Sequence, residues 1–203
     1  VYISFSTEYG TLYSSTELQL ISEVCHSYDI PLFIDGARMG YGLMSDECDI
    51  TLPELAQLAD VFYLGGTKQG ALFGEAVVIT NDKLKRDFRY NIKQGGGMLA
   101  KGRLLGIQFE TLFTDNLYFN LARHANQQAM RIKKALQDNG YQFLIESPTN
   151  QQFPILPNEL IDELSKDFLF SIWEKVDDEH TCIRICTSWA TKPENVDKLI
   201  AML

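Results

Sequence analysis

The chain has 203 residues, 45% of them hydrophobic and 22% charged, a globular composition with enough length for one large or two small domains. Its formal net charge of −9 argues against nucleic acid or an anionic membrane as the main partner, and the absence of any run of about 18 apolar residues argues against a membrane span. Four cysteines (Cys25, Cys48, Cys182, Cys186) form neither a disulfide framework nor a four-ligand zinc site, so reduced thiols, a cytoplasmic setting and no metal are expected.

Residues 1–5 read as a strand that begins without initiator Met, cap or leader, so the sequence is expected to be the carboxyl-terminal part of a larger enzyme. A polar loop follows at residues 6–11. Ser14 with Glu17 forms a capping box, and Leu18, Ile21, Val24, Cys25 and Tyr28 predict the apolar stripe of the helix it opens. His26 on that helix reads as structural. Leu32-Phe33-Ile34 is a short buried strand ending in Asp35, after which Gly36, Gly40 and Gly42 permit a tight backbone passage. Thr51 with Glu54 makes a second capping box, with Pro53 in the first turn, where its missing N–H costs little. The helix leads into a strand at residues 61–64 that ends in Gly65-Gly66-Thr67 and then Lys68. This strand-helix-strand unit predicts a right-handed parallel crossover. A further strand is expected at 75–80 and a charged helix from Asn81.

Gly95-Gly96-Gly97 is the largest break and reads as an interhelix turn. Helices are expected at 99–113 and 117–139, the second stopped by Gly140 at C′. A smaller α+β region follows, with strands at 143–146, 153–156, 169–176 and 182–186 and a helix at 158–167. A third capping box, Thr191 with Glu194, opens a terminal helix with Val196, Leu199, Ile200 and Leu203 on its apolar face. In the strand at 182–186, alternation sets Ile183 and Ile185 on one face and Cys182, Arg184 and Cys186 on the other. An arginine in so apolar a strand asks for an anionic partner, and an internal salt bridge would satisfy it.

If the strands ending in Asp35 and Leu64 lie parallel, Asp35 and Lys68 emerge at the same carboxyl edge, where open α/β sheets bind ligands. That pair suits pyridoxal phosphate: the lysine forms the Schiff base and the carboxylate holds a proton on the pyridine nitrogen. Two glycines ahead of Lys68 let the backbone approach a planar ring, and Thr67 adds a hydroxyl beside the amine. The plainer alternatives are a surface lysine and a carboxylate that caps the next helix turn or pairs with Arg38.

Asp-Gly-Ala-Arg at 35–38 and Gly-Gly-Thr-Lys at 65–68, with Gly95-Gly96-Gly97-Met98 and Arg184-Ile185-Cys186-Thr187, resemble the low-specificity L-threonine aldolases. These belong to the β-eliminating lyase group of fold-type-I enzymes that use pyridoxal 5'-phosphate. The resemblance implies an α/β fold, with residues 1–115 as the carboxyl-terminal part of a cofactor-binding large domain on a mainly parallel sheet. Residues 116–203 would be a small α+β domain including its linking helix. It implies Lys68 and Asp35 as catalytic and cofactor-binding residues, Thr67, Thr7 and Glu8 near the cofactor, and Arg184 with Arg38 on the substrate's α-carboxylate. It places the Gly95–Gly97 loop near a neighbouring subunit's active site, hence a homodimer or homotetramer. Where many aldolases carry an Arg after Gly-Gly-Gly-Met this chain has Leu99, and Lys101 and Arg103 are the nearby cations. His26, His124 and His180 lie in no matching motif, and the family's active-site histidine and phosphate loop are expected ahead of Val1. The expected reaction cleaves the Cα–Cβ bond of L-threonine or L-allo-threonine to glycine and acetaldehyde. The alternatives are another β-eliminating lyase or an aminotransferase, or a non-catalytic fragment.

Overall fold

Two capping boxes set the first helices of the computed structural model, which describes residues 1–203. Ser14 caps α1 (Ser15–Ser27) and Thr51 caps α3 (Leu52–Leu58), each with the reciprocal bond from its glutamate. Between and after them lie the strands of one sheet: β1 (Tyr2–Ser4), β2 (Phe33–Asp35), β3 (Val61–Gly65) and β4 (Glu75–Ile79), in the order β1-β2-β3-β4. The first three run parallel and β4 runs antiparallel to β3. Ser4 pairs with Asp35 and Ile34 with Phe62, so the parallel strands end at one edge.

Several expectations need correction. The passage after Asp35 is tight, as expected of Gly36, Gly40 and Gly42, but it also coils into a short buried helix, α2 (Met39–Leu43), that was not expected. The charged helix from Asn81 is only a 3-10 turn, Asp82–Leu84, and α4 (Phe88–Gln94) follows Asp87, whose φ of +57° breaks the chain direction. Residues 99–102 stay outside α5 (Arg103–Phe113). On α1, Leu18 and Cys25 are buried but Val24 and Tyr28 face solvent, so the apolar stripe is narrower than its periodicity. After α6 (Leu117–Asp138), Gly140 has the expected positive φ, +82°.

The second sheet is antiparallel: β5 (Gln142–Phe143), β6 (Gln151–Gln152), β7 (Pro154–Pro157), β8 (Ser171–Lys175) and β9 (His180–Cys186). Its spine is β9, which pairs with β6, β7 and β8. Strand β6 went unforeseen, because two buried glutamines carry no apolar signal. Helix α7 (Asn158–Leu164) and α8 (Pro193–Ile200) complete the chain. The third capping box does not form. Thr191 Oγ1 accepts from Ser188 N–H at 2.8 Å, closing the preceding turn, and Lys192 takes the cap position.

Phe5, Leu18, Ile34, Leu55 and Phe62 form the core beneath the first sheet, and Ile132, Leu136, Leu156, Ile183 and Leu199 that beneath the second. Helix α6 serves both regions, since its Ala122 and Ala125 pack on Tyr41 while Ile132 and Leu136 enter the second core. Hydrogen bonds fix the two sheets to each other. Gly10 O accepts from Ser147 Oγ (3.2 Å) and Thr149 Oγ1 (2.9 Å), Glu8 O from Gln151 Nε2 (3.2 Å), and Tyr41 O from Asn126 Nδ2 (2.8 Å). His26 is structural: its Nε2 lies 3.2 Å from the buried Asp60, which also accepts from Leu32 N–H and Asn81 Nδ2, each at 2.7 Å. No helix is long and apolar enough to cross a membrane.

Candidate active site

The site is built on the carboxyl ends of β2 and β3, where the two backbones nearly touch. Gly65 N–H donates to Gly36 O at 2.9 Å. A Cβ on Gly36 would stand 1.7 Å from Tyr63 O, and one on Gly65 would stand 2.5 Å from Ala37 O, so only glycine permits this approach. Beyond β3, the N–H groups of Gln69 and Ala71 return to Gly66 O at 2.9 and 3.0 Å. The resulting turn carries Thr67 and Lys68 into solvent, and the Tyr41 hydroxyl donates to Lys68 O.

Asp35 Oδ1 accepts from Ala37 N–H (2.9 Å) and the Tyr63 hydroxyl, and Oδ2 accepts from the Tyr2 hydroxyl. Burial pushes the carboxyl pKa up, but these bonds and the Lys68 charge outweigh it and hold Asp35 below its ordinary value. Arg38 is not its partner. Tyr63 faces the same anion, and burial together with that hydrogen bond drives its phenol well above the ordinary range.

Lys68 is pulled below its ordinary pKa by partial burial and then by the Arg38 charge, while Glu8, Asp35 and Glu75 oppose the shift. Arg184 extends from β9 opposite Ser171, and its Nη2 donates to Ser171 Oγ at a long 3.4 Å. Its guanidinium carbon lies 5.4 Å from the centre of the Trp173 ring, and its buried Nε has no partner. Neither Arg184 nor Arg38 forms an ion pair. Cys186 is the one thiol on which three of these charges act. The residue is exposed by area, yet enough protein surrounds its thiol to push the pKa up, while Arg184, Arg38 and Lys68 all pull it down.

Asp35, Lys68, Arg38 and Arg184 therefore share one electrostatic neighbourhood, drawn from both sheets. Thr7 is engaged within its own loop, its Oγ1 2.6 Å from Thr11 Oγ1 and accepting from Thr11 N–H at 3.1 Å. Lys101 lies on the exposed stretch between α4 and α5, and Arg103 is the exposed first residue of α5. A concavity of about 720 Å³ between α2, residues 48–53 and α6 contains none of these groups. Tyr2, Tyr63 and Trp173 were not foreseen. The pairing of Phe33 with Val61 and Ile34 with Phe62 carries Tyr63 alongside Asp35, so aligning the two apolar strands offered a signal for Tyr63. Nothing local marked Tyr2.

The sequence profile described as Beta-eliminating lyase matches residues 1–158. The chain belongs to the β-eliminating lyase family. Low specificity L-threonine aldolases of Pseudomonas sp. (strain NCIMB 10558) and Pseudomonas aeruginosa are 32% and 29% identical to it, over 99% and 98% of this chain. A solved structure of a Leishmania major threonine aldolase is 46% identical over 99% of this chain, with a TM-score of 0.97. The chain spans 58% and 57% of the two Pseudomonas proteins and 59% of the Leishmania chain. The fold is that of fold-type-I enzymes, a mainly parallel sheet with helices joined to a smaller α+β region.

β-Eliminating lyases of this kind depend on pyridoxal phosphate, and the residues present fit it. An ionised carboxylate offers about four acceptor positions, and Asp35 has three occupied, leaving one on Oδ2 for a ring N–H. Lys68 is an exposed residue whose partly buried amine has a depressed pKa. Two arginines lack anionic partners, and one leaves a buried Nε unsatisfied. Gly36 and Gly65, held close by backbone contact, add no side chain of their own at this edge.

Proposed function

We propose that the whole protein is a pyridoxal-phosphate-dependent aldolase that cleaves the Cα–Cβ bond of L-threonine or L-allo-threonine to give glycine and acetaldehyde. One observation carries this reading: Asp35 and Lys68 stand at the carboxyl ends of β2 and β3, and Arg38 and Arg184, which have no anionic partner, act with Lys68 on the same Cys186 thiol. The substrate assignment draws support from the names of the Pseudomonas and Leishmania relatives. Bound pyridoxal phosphate supplies an aldehyde that condenses with amines and a ring that accepts the electron pair of a broken Cα bond.

The chain's own groups have separable tasks. Burial and Arg38 raise the unprotonated share of the Lys68 amine, which suits it as the cofactor-binding nucleophile and, when released, as a proton carrier. Asp35 stays ionised and holds a proton on the ring nitrogen. Arg184, with Arg38 as second contact, takes the α-carboxylate, and a carboxylate so held fixes which bond to Cα is aligned for cleavage. Thr67, exposed beside Lys68, contacts the cofactor, and Thr7 does so through its loop. In this reading residues 1–115 belong to the cofactor-binding domain and 116–203 to the small domain.

The reading extends to a homodimer or homotetramer. Met98, Leu99, Leu104 and Ile107 expose apolar surface around the glycine-rich turn, where a partner subunit would cover it. The direct test supplies L-threonine and L-allo-threonine to the full chain loaded with cofactor. Equal amounts of glycine and acetaldehyde are expected. Conversion of the cofactor to its amine form by an amino donor, with a keto acid as product, would instead make the protein an aminotransferase.

A further inference from the structure

Trp173 sits where the ladder between β8 and β9 is irregular. Ser171 pairs with Arg184 and Ile172 with Ile183, but Cys182 pairs with Glu174. Trp173 is thus the extra residue of a β-bulge, a device that releases a side chain from cross-strand pairing and re-aims it. Its indole packs edge-on against Phe153, at 5.0 Å between ring centres, and against Tyr9, at 5.4 Å. Phe153 is fully buried, which anchors the cluster in the small region, whereas Tyr9 belongs to the loop whose Glu8 lies in the field of Lys68. The Arg184 guanidinium rests over the outer face of this braced indole, 5.4 Å from its centre.

No carboxylate holds Arg184, and its one hydrogen bond to a side chain is the long contact to Ser171. A long, flexible side chain with so few polar restraints would sample many rotamers, yet a bidentate grip needs the fork in one orientation. We propose that Trp173 is a positioning residue for Arg184: its π face attracts the cation and fixes the guanidinium plane while leaving the donor edge free for a carboxylate. Tyr9, packed on the same indole, ties that platform to the loop at residues 6–11 of the large region. The inference rests on the reading of Arg184 as the carboxylate-binding residue, and its test separates the two.

The test uses the full chain loaded with pyridoxal phosphate and compares glycine with methylamine, an amine without a carboxylate, by titrating the cofactor spectrum. Trp173→Leu keeps apolar bulk without a π face and is expected to weaken glycine binding about tenfold, the scale of a desolvated cation–π contact. Trp173→Phe restores a π face and should stay within about threefold of the parent protein. Methylamine affinity and cofactor retention should be unchanged in both. Glycine affinity that is the same in the Leu and Phe variants overturns the proposal. Arg184→Lys run in parallel isolates the underlying reading: if it also leaves glycine affinity intact, the carboxylate assignment fails, whereas its loss alongside a normal Trp173→Leu defeats only the role of Trp173. Should Trp173→Leu not fold, Trp189→Phe leaves Trp173 as the sole tryptophan of this chain. Its emission should then respond to glycine and not to methylamine, and an equal response to both amines overturns the proposal.

Discussion

Each charged residue of the site carries a signature of what it lacks or holds. Arg184 stood out in the sequence because a guanidinium between isoleucines needs an anion, and the structure supplies none internally. Arg184→Lys should therefore weaken threonine binding by about 2 kcal/mol, the range of a lost charge-assisted hydrogen bond, without lowering the melting temperature. An unchanged affinity with a lowered melting temperature would make it a structural residue. Asp60 is the opposite case, a buried carboxylate already satisfied. Burial pushes its pKa up, but bonds from Leu32 N–H, Asn81 and His26 hold it below the ordinary carboxylate value. A depressed native pKa stabilises the fold above about pH 4, and that stabilisation fades as the pH falls through the native value. Asp60→Asn should cost about 2 kcal/mol at neutral pH and flatten the acid limb of a stability profile measured by urea unfolding. Trp173 was illegible at this scale, because a bulge interrupts the alternation by which strand residues are assigned to faces.

At the scale of elements, local chemistry was readable and long-range choices were not. The boxes at Ser14–Glu17 and Thr51–Glu54 mark helix starts because their bonds lie within four residues. The same spacing misled at Thr191, whose hydroxyl bonds back to Ser188 instead. Strand β6 could not be seen, since its glutamines are buried through amide hydrogen bonds such as Gln152 Nε2 to Thr149 O (2.8 Å) rather than by apolar character. The glycines at the strand ends were legible as a tight passage, and their role is now steric. A methyl group on Gly36 would collide with the Tyr63 carbonyl, a backbone atom that cannot swing aside, at 1.7 Å. Gly36→Ala should part β2 from β3 and cost about 4 kcal/mol or more, within the range of severe core disruption. Thermal unfolding checks this, and a loss below about 1 kcal/mol would show that the strands tolerate separation.

Across the whole molecule, the site exists because residues more than a hundred positions apart are fastened together. Asp35 and Lys68 come from one sheet and Arg184 from the other, joined through Gly10, Glu8 and Tyr41 on one side and Ser147, Thr149, Gln151 and Asn126 on the other. No periodicity encodes those bonds, which explains why the elements could be read more fully than their assembly. Thr149→Val removes one of two hydroxyl donors to Gly10 O and should cost about 1 kcal/mol of stability, read from the unfolding midpoint. The central claim is that Lys68 is the amine to which the cofactor attaches. Borohydride reduction of the full chain loaded with pyridoxal phosphate, followed by peptide mass mapping, tests it most directly. The account predicts one pyridoxyl group, on the peptide containing Lys68, and none after Lys68→Ala. A pyridoxyl group on a different lysine of the unaltered protein, with Lys68 unmodified, would contradict it.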